Sequence, residues 1–168
     1  TQGVSSAASD VYKRQAQRLR RVMPIARDSI DDDSLLLGIR AFDTPATAEP
    51  FPSTDAQEIG DAALGALRAG HLCMVQFESK QSCRWATVIG VERDRASDDT
   101  RALLLLDSGA SEPWACAHNV RIELQAVAGS SVRASEGFTL NCRDLWGGAC
   151  AVRLLGLIVL RRNAPVTP

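Results

Sequence analysis

From Leu72 onward the apolar positions fall into short runs with strand-like spacing, separated by polar or glycine-containing breaks. LCMVQFES (72–79), RWATVIGVE (84–92) and ALLLLD (102–107) are the first three. VRIELQAV (120–127), FTLNC (138–142) and AVRLLGLIVLRR (151–162) continue the series. Runs of this length and pattern predict strands, and the breaks between them predict mainly antiparallel, hairpin-like connections. The segment just before has a different period. Ile59, Ala63 and Leu67, with Ala62 and Ala66, form one apolar stripe at helical spacing. Thr54 or Asp55 is placed to cap it, Gln57 or Glu58 to complete a capping box, and Gly70 to end it in a left-handed turn. A helix over 55–69 follows.

Upstream the pattern is weaker. Ala16–Ala26 is basic and partly helical in spacing, but Pro24 interrupts it. The run Asp31-Asp32-Asp33 before LLLGI fits either a capped short helix or a loop entering a strand. Asp43–Ser53 holds three prolines and reads as an irregular connection. The stretch SSAASDVYKRQ (Ser5–Gln15) matches the translation of a transposase-based sequencing-library adaptor. Residues 1–15 are therefore expected to be adaptor-derived and disordered, with the native start lost. The resulting organisation is a partial N-terminal region with a Pro-rich linker over 16–54, an α+β domain over 55–162, and a tail over 163–168. The fold expected is one main helix packed on an antiparallel sheet of five to six strands.

Composition narrows the function classes. Apolar residues make up 45% of the chain, enough for a sizeable core, while the formal net charge is −1. A near-neutral balance argues against nucleic acid as a partner, since dedicated binders present a basic face. The longest apolar-rich stretch, Ala149–Leu160, contains Arg153 and is too short to span a bilayer, so no membrane is expected either. The five cysteines (Cys73, Cys83, Cys116, Cys142 and Cys150) are odd in number and form no CxxC pair. With His71 and His118 as the two histidines, they suggest no metal site and no cofactor. Scattered thiols of this kind suit a reducing, cytoplasmic setting.

One stretch carries a family resemblance. Leu72–Asp107 runs from an apolar strand through a short turn to Arg84-Trp85-Ala-Thr-Val-Ile-Gly90, then through a charged turn to an apolar strand ending in Asp107-Ser108. This resembles the C-terminal, β-rich half of papain-like cysteine peptidases of the bacteriocin-leader-processing type. In that family a strand carries His-Trp, and the following strand ends in Asp. The resemblance implies a bacterial protein, truncated at its N-terminus. It also implies that Asp107 stands at the position that orients a catalytic imidazole, and that Arg84 replaces the histidine.

A guanidinium stays protonated and cannot act as a base. The segment 16–43 contains no cysteine to serve as nucleophile. The leading expectation is thus a degenerate, non-catalytic domain that binds a peptide or protein partner along a sheet edge or cleft. Asp107 reads first as the cap of a turn through Ser108 and Gly109, with an ion pair to Arg84 across neighbouring strands as the alternative. Trp85 and Trp114 are candidate linings of an apolar binding cleft. Two alternatives stand beside it. One is an active cysteine hydrolase whose nucleophile lies upstream; the other is a structural β-rich domain unrelated to peptidases. Cys116 and His118, two residues apart, are a superficial thiol–imidazole pair within the loop that holds Trp114.

Overall fold

The computed structural model describes residues 32–41, 46–113, 116–125 and 137–162. Two helices and seven strands occur among them. In chain order they are α1 (Asp32–Ala41), β1 (Ala46–Phe51), α2 (Ala56–Arg68), β2 (Leu72–Ser79), β3 (Cys83–Arg93), β4 (Thr100–Leu106), β5 (Val120–Glu123), β6 (Leu140–Asp144) and β7 (Ala149–Arg162). The adaptor-like segment, the basic stretch over 16–31 and the tail lie outside the described residues.

α2 forms where the apolar stripe places it. Asp55 is the N-cap, and its carboxylate accepts hydrogen bonds from the backbone N–H groups of Gln57 (2.9 Å) and Glu58 (3.0 Å). Gly70 adopts φ 76°, which allows the paired closing bonds Gly70 N to Leu67 O and His71 N to Ala66 O. Upstream, the aspartate run opens a helix rather than a strand. The Pro-containing segment also corrects the expectation of an irregular linker, because Ala46–Phe51 pairs with β7 along its length. Proline is tolerated there because β1 is the edge strand of the sheet.

The expected α+β layout, one main helix packed on an antiparallel sheet of five to six strands, is overturned. The chain is mostly β. All neighbouring strands pair antiparallel in the order β1-β7-β2-β3-β4-β5-β6, and β6 returns to pair with β7. β2 to β7 thus close into a six-stranded barrel, with β1 as an extra strand on β7. The layout drawn from the resemblance to half of a papain-like fold, a sheet covered by one helix, is corrected by that closure. Period-two spacing reports that one face of each strand is apolar, and that face can cover a helix layer or line the inside of a barrel equally well.

The barrel interior is the core. Val75 and Phe77 of β2, Ala86 and Val88 of β3, Leu103 and Leu105 of β4, and Ile122 of β5 point inward and are buried. β7 contributes Val152 and Leu154, then Leu157 and Val159. Inward positions on one strand should share parity, and here the parity changes at a bulge. The β2–β7 register shifts between Gln76 and Phe77, where Leu154 and Gly156 flank the extra Leu155. A second shift between Val88 and Gly90 lets Val91 reach the core in the same way. Outside the barrel, Leu35 of α1, Ala48 and Ile158 make a smaller cluster, against which Met74, Trp85 and Leu160 pack.

α2 plugs one end of the barrel. Ile59 and Ala63 are fully buried against the interior cluster. The hydroxyl of buried Thr100 donates to Asp61 (2.9 Å) and ties the helix to the start of β4. Gly60 lies at the closest approach: a Cβ there would come 2.5 Å from Leu124 Cδ1 and 3.0 Å from Thr100 Cγ2. Among the described residues no helix is long and apolar enough to cross a membrane.

Two outcomes check this description. Gly60→Ala should push the plug off the barrel end and destabilise the fold by about 1–3 kcal/mol. Gly65→Ala, on the same helix with open space around it, should stabilise it by roughly 0.5–1 kcal/mol. Urea denaturation of the two variants measures both, and equal effects would mean that the helix does not seat as described. The second outcome concerns acid. Arg121 of β5 holds Glu92 of β3 through Nε (3.1 Å) and Nη2 (2.7 Å). These hydrogen bonds depress the Glu92 carboxyl below its ordinary value, against the opposing effect of partial burial. A depressed folded value adds stability above the unfolded carboxylate value of about 4.3, and that stability is lost as the pH falls through the folded value. Arg121→Met should therefore lower stability at neutral pH and leave less of it to be lost on acidification, as chemical denaturation across that range would record.

Candidate functional site

The end of the barrel opposite α2 is open. Strand polarity decides which residues meet there: the C-terminal ends of β2, β4 and β6, and the N-terminal ends of β3, β5 and β7. Phe77, Ser79, Arg84, Asp107, Val120, Cys142, Asp144 and Cys150 therefore line one mouth, around a pocket of about 250 Å³.

At its centre lies an ion pair. Arg84 Nη1 stands 3.0 Å from Asp107 Oδ2. The two side chains differ in environment, since Asp107 is 3% exposed and Arg84 41%. Asp107 is held from several sides. Its Oδ1 accepts from Gly109 N (2.8 Å), which turns the chain after β4. Its backbone N–H and carbonyl are both bonded by the side-chain amide of Asn119, each at 2.8 Å. The same amide reaches Ser111 O (3.1 Å), so buried Asn119 fixes the whole turn leaving β4. Arg84 is steadied by Ser82, whose hydroxyl accepts from Nε at 2.9 Å. Gly109 packs so close that a Cβ would meet Arg84 Nη1 at 2.9 Å. The turn cap and the ion pair that the sequence offered for Asp107 both form, with the carboxylate buried and the cation half open to solvent.

The β6–β7 hairpin builds the other wall. Asp144 Oδ1 accepts from Trp146 N (2.9 Å) and Gly148 N (2.8 Å), and Gly147 takes φ 82° to complete the turn. This turn sets Cys142 directly opposite Cys150 and exposes Trp146 at its tip. Sequence reasoning missed these residues. The turn glycines were visible, but nothing in the spacing showed that the hairpin closes a barrel and faces Arg84.

The tryptophan reading fares differently. Trp85 follows Arg84 and so points to the opposite face of β3, where it packs in the outer cluster near α1 rather than in the pocket. Trp114 lies outside the described residues. Neither His71 nor His118 lines the pocket. His71 follows Gly70 at the plugged end of the barrel. The Cys116 thiol donates to the backbone carbonyl of His118 (3.2 Å). No group of three or more metal-ligating side chains occurs among the described residues.

Burial pushes the Cys73 thiol up to about 11, as expected for an inert core cysteine. The Cys142 thiol is also driven up, first by burial, then by the charge of Cys150 and a hydrogen bond with it. Arg84 opposes that rise and Asp107 adds to it. The mouth is thus one electrostatic unit formed by four strands.

The unequal burial of Arg84 and Asp107 sets the expected mutational pattern. Arg84→Met should cost about 1–3 kcal/mol at neutral pH, because it strands a buried carboxylate. Adding Asp107→Asn in that background should recover part of the loss, since the amide carries no charge and still accepts from Gly109. A thermodynamic cycle over the two single variants and the double variant, followed by urea unfolding, reads the coupling. Additive effects would show that the pair is incidental.

No protein-family model matches the chain, and a search among curated proteins finds no relative.

Proposed function

We propose that this chain is a non-catalytic binding domain that takes a basic, extended segment of a protein partner into the open mouth of its barrel. The observation that carries the reading is the charge and shape of that mouth. Arg84 and Asp107 neutralise each other, which leaves Asp144 as the uncompensated charge among the lining residues. Phe77, Ala110, Val120 and Ala149 supply apolar wall. Trp146, 68% exposed at the rim, adds a large aromatic face. A carboxylate beside an exposed indole suits a lysine or arginine side chain, through ion pairing and cation–π contact.

Capture along a sheet edge is the weaker form of the reading. Closure uses the edges of the barrel strands and leaves β1, whose Pro50 has no N–H to offer. The cleft is therefore favoured. Hydrolysis finds little support at the same residues. The carboxylate that would orient an imidazole is engaged by a guanidinium, and that guanidinium cannot accept a proton. The near-neutral net charge of −1 speaks against a nucleic-acid role, and the free thiols suit a cytoplasmic setting.

Selection from a random peptide-display library tests the proposal. Wild-type chain should enrich peptides with a basic residue flanked by apolar ones. Trp146→Ala and Asp144→Asn should each weaken the recovered peptides by about tenfold or more, in line with the loss of a binding hot spot. Enrichment of acidic peptides, or binding that ignores both substitutions, would overturn it. Cysteine-dependent cleavage of any recovered peptide would revive the hydrolase alternative.

A further inference from the structure

Cys142 and Cys150 form a pair that the binding reading does not use. They face each other across the β6–β7 ladder, in register with Asn141 opposite Ala151 and Arg143 opposite Ala149. Facing residues on antiparallel strands have Cα atoms about 4.5–5.5 Å apart. That separation falls inside the range a disulfide spans, about 4.4–6.8 Å. Both side chains line the mouth pocket. The hairpin holding them is fixed by the Asp144 turn, so the pair is preorganised and not brought together by chance.

Their surroundings differ. Cys150 is exposed on the pocket side, whereas Cys142 is 7% exposed. Cys73, by contrast, is buried in the barrel core. We propose that Cys142 and Cys150 are a redox-modifiable dithiol that closes to a disulfide across the barrel mouth, with Cys150 as the attacking thiol and Cys142 as the resolving one.

The oxidant is hydrogen peroxide. The Cys150 thiolate attacks one peroxide oxygen and the O–O bond breaks. Cys150 becomes a sulfenic acid, and the departing hydroxide takes up a proton to leave as water. The Cys142 sulfur then attacks the sulfenic sulfur. The S–S bond forms, the S–O bond breaks, and a second water leaves with the Cys142 proton. Overall the two thiols lose two electrons and two protons, and one peroxide is reduced to two waters. Burial keeps the Cys142 thiol protonated, which gives the order of events. The disulfide would staple the strand pair that closes the barrel and rigidify the wall that carries Asp144. This inference stands on the hairpin geometry and holds whether or not the mouth binds a basic segment.

The test uses the full chain, reduced and then exposed to hydrogen peroxide, with trypsin digestion under non-reducing conditions. Arg143 lies between the two cysteines, so cleavage there places them on separate peptides that only a disulfide can join. The expected result is a joined pair of peptides, lighter than their sum by two hydrogen atoms and separated by dithiothreitol. Cys150→Ser should abolish it. Cys142→Ser should stop the reaction at a Cys150 sulfenic acid that dimedone captures. Both substitutions are conservative, and the Cys150 site is exposed, so the variants keep the fold that circular dichroism would verify. Two outcomes overturn the proposal: peroxide drives Cys150 to sulfinic acid while Cys142 stays open to alkylation after unfolding, or oxidation yields only dimers between chains.

Discussion

The structure depends on β7. From Val152 to Leu160 this strand keeps β2 on one side, while the other side pairs first with β6 and then with β1. The N-terminal half closes the barrel, and the C-terminal half carries the sheet past it to the extra strand. A regular strand would continue the inward face of Val152 and Leu154 through Gly156, Ile158 and Leu160, because alternate side chains share a face. The bulge at Leu155 breaks that series. It moves the inward set from Cys150, Val152 and Leu154 to Leu157 and Val159, so both halves bury apolar side chains. That one-residue shift instead leaves Ile158 free to pack in the outer cluster with Leu35 and Ala48.

Closure gives the molecule two ends with different chemistry. At one end α2 lays Ile59, Ala63 and Ala66 over the interior, and Gly60 lets the helix come down onto Leu124 and Thr100. At the other end no helix among the described residues covers the opening, and polar groups take over the lining. Arg84 and Asp107 occupy inward positions where the core gives way to solvent. The carboxylate is affordable there only because Gly109, Asn119 and Arg84 satisfy the groups around it. A fully satisfied network of this kind rigidifies the rim on which a ligand would rest.

The proposal of a non-catalytic mouth draws on the same geometry. Catalysis by a thiol needs a base within reach of the sulfur. The thiols that reach the mouth, Cys142 and Cys150, have each other, Arg84 and Asp107 for company, and one of them is held protonated by burial. Such surroundings favour sulfur–sulfur chemistry over attack on a carbonyl.

How much of this was legible in the sequence follows from the range of each interaction. α2 was fixed by signals within a few residues: the Asp55 cap, the apolar stripe and the left-handed Gly70. β2, β3 and β4 were equally local, and because their turns are short, the meeting of Arg84 with Asp107 followed from strand adjacency. Closure was not local. It joins β7 to β2, far earlier in the chain, and alternation along a strand is the same in an open sheet and in a barrel. Pro50 in β1 reads as a breaker until a sheet edge exists to accept it. Trp85 reads as cleft lining until the inward face of β3 is assigned to Arg84. Sequence alone determined α2, β2, β3 and β4, and through the adjacency of β3 and β4 it brought Arg84 near Asp107. Tertiary structure decided which face was inside, because that depends on pairing between distant strands that no short window of residues contains.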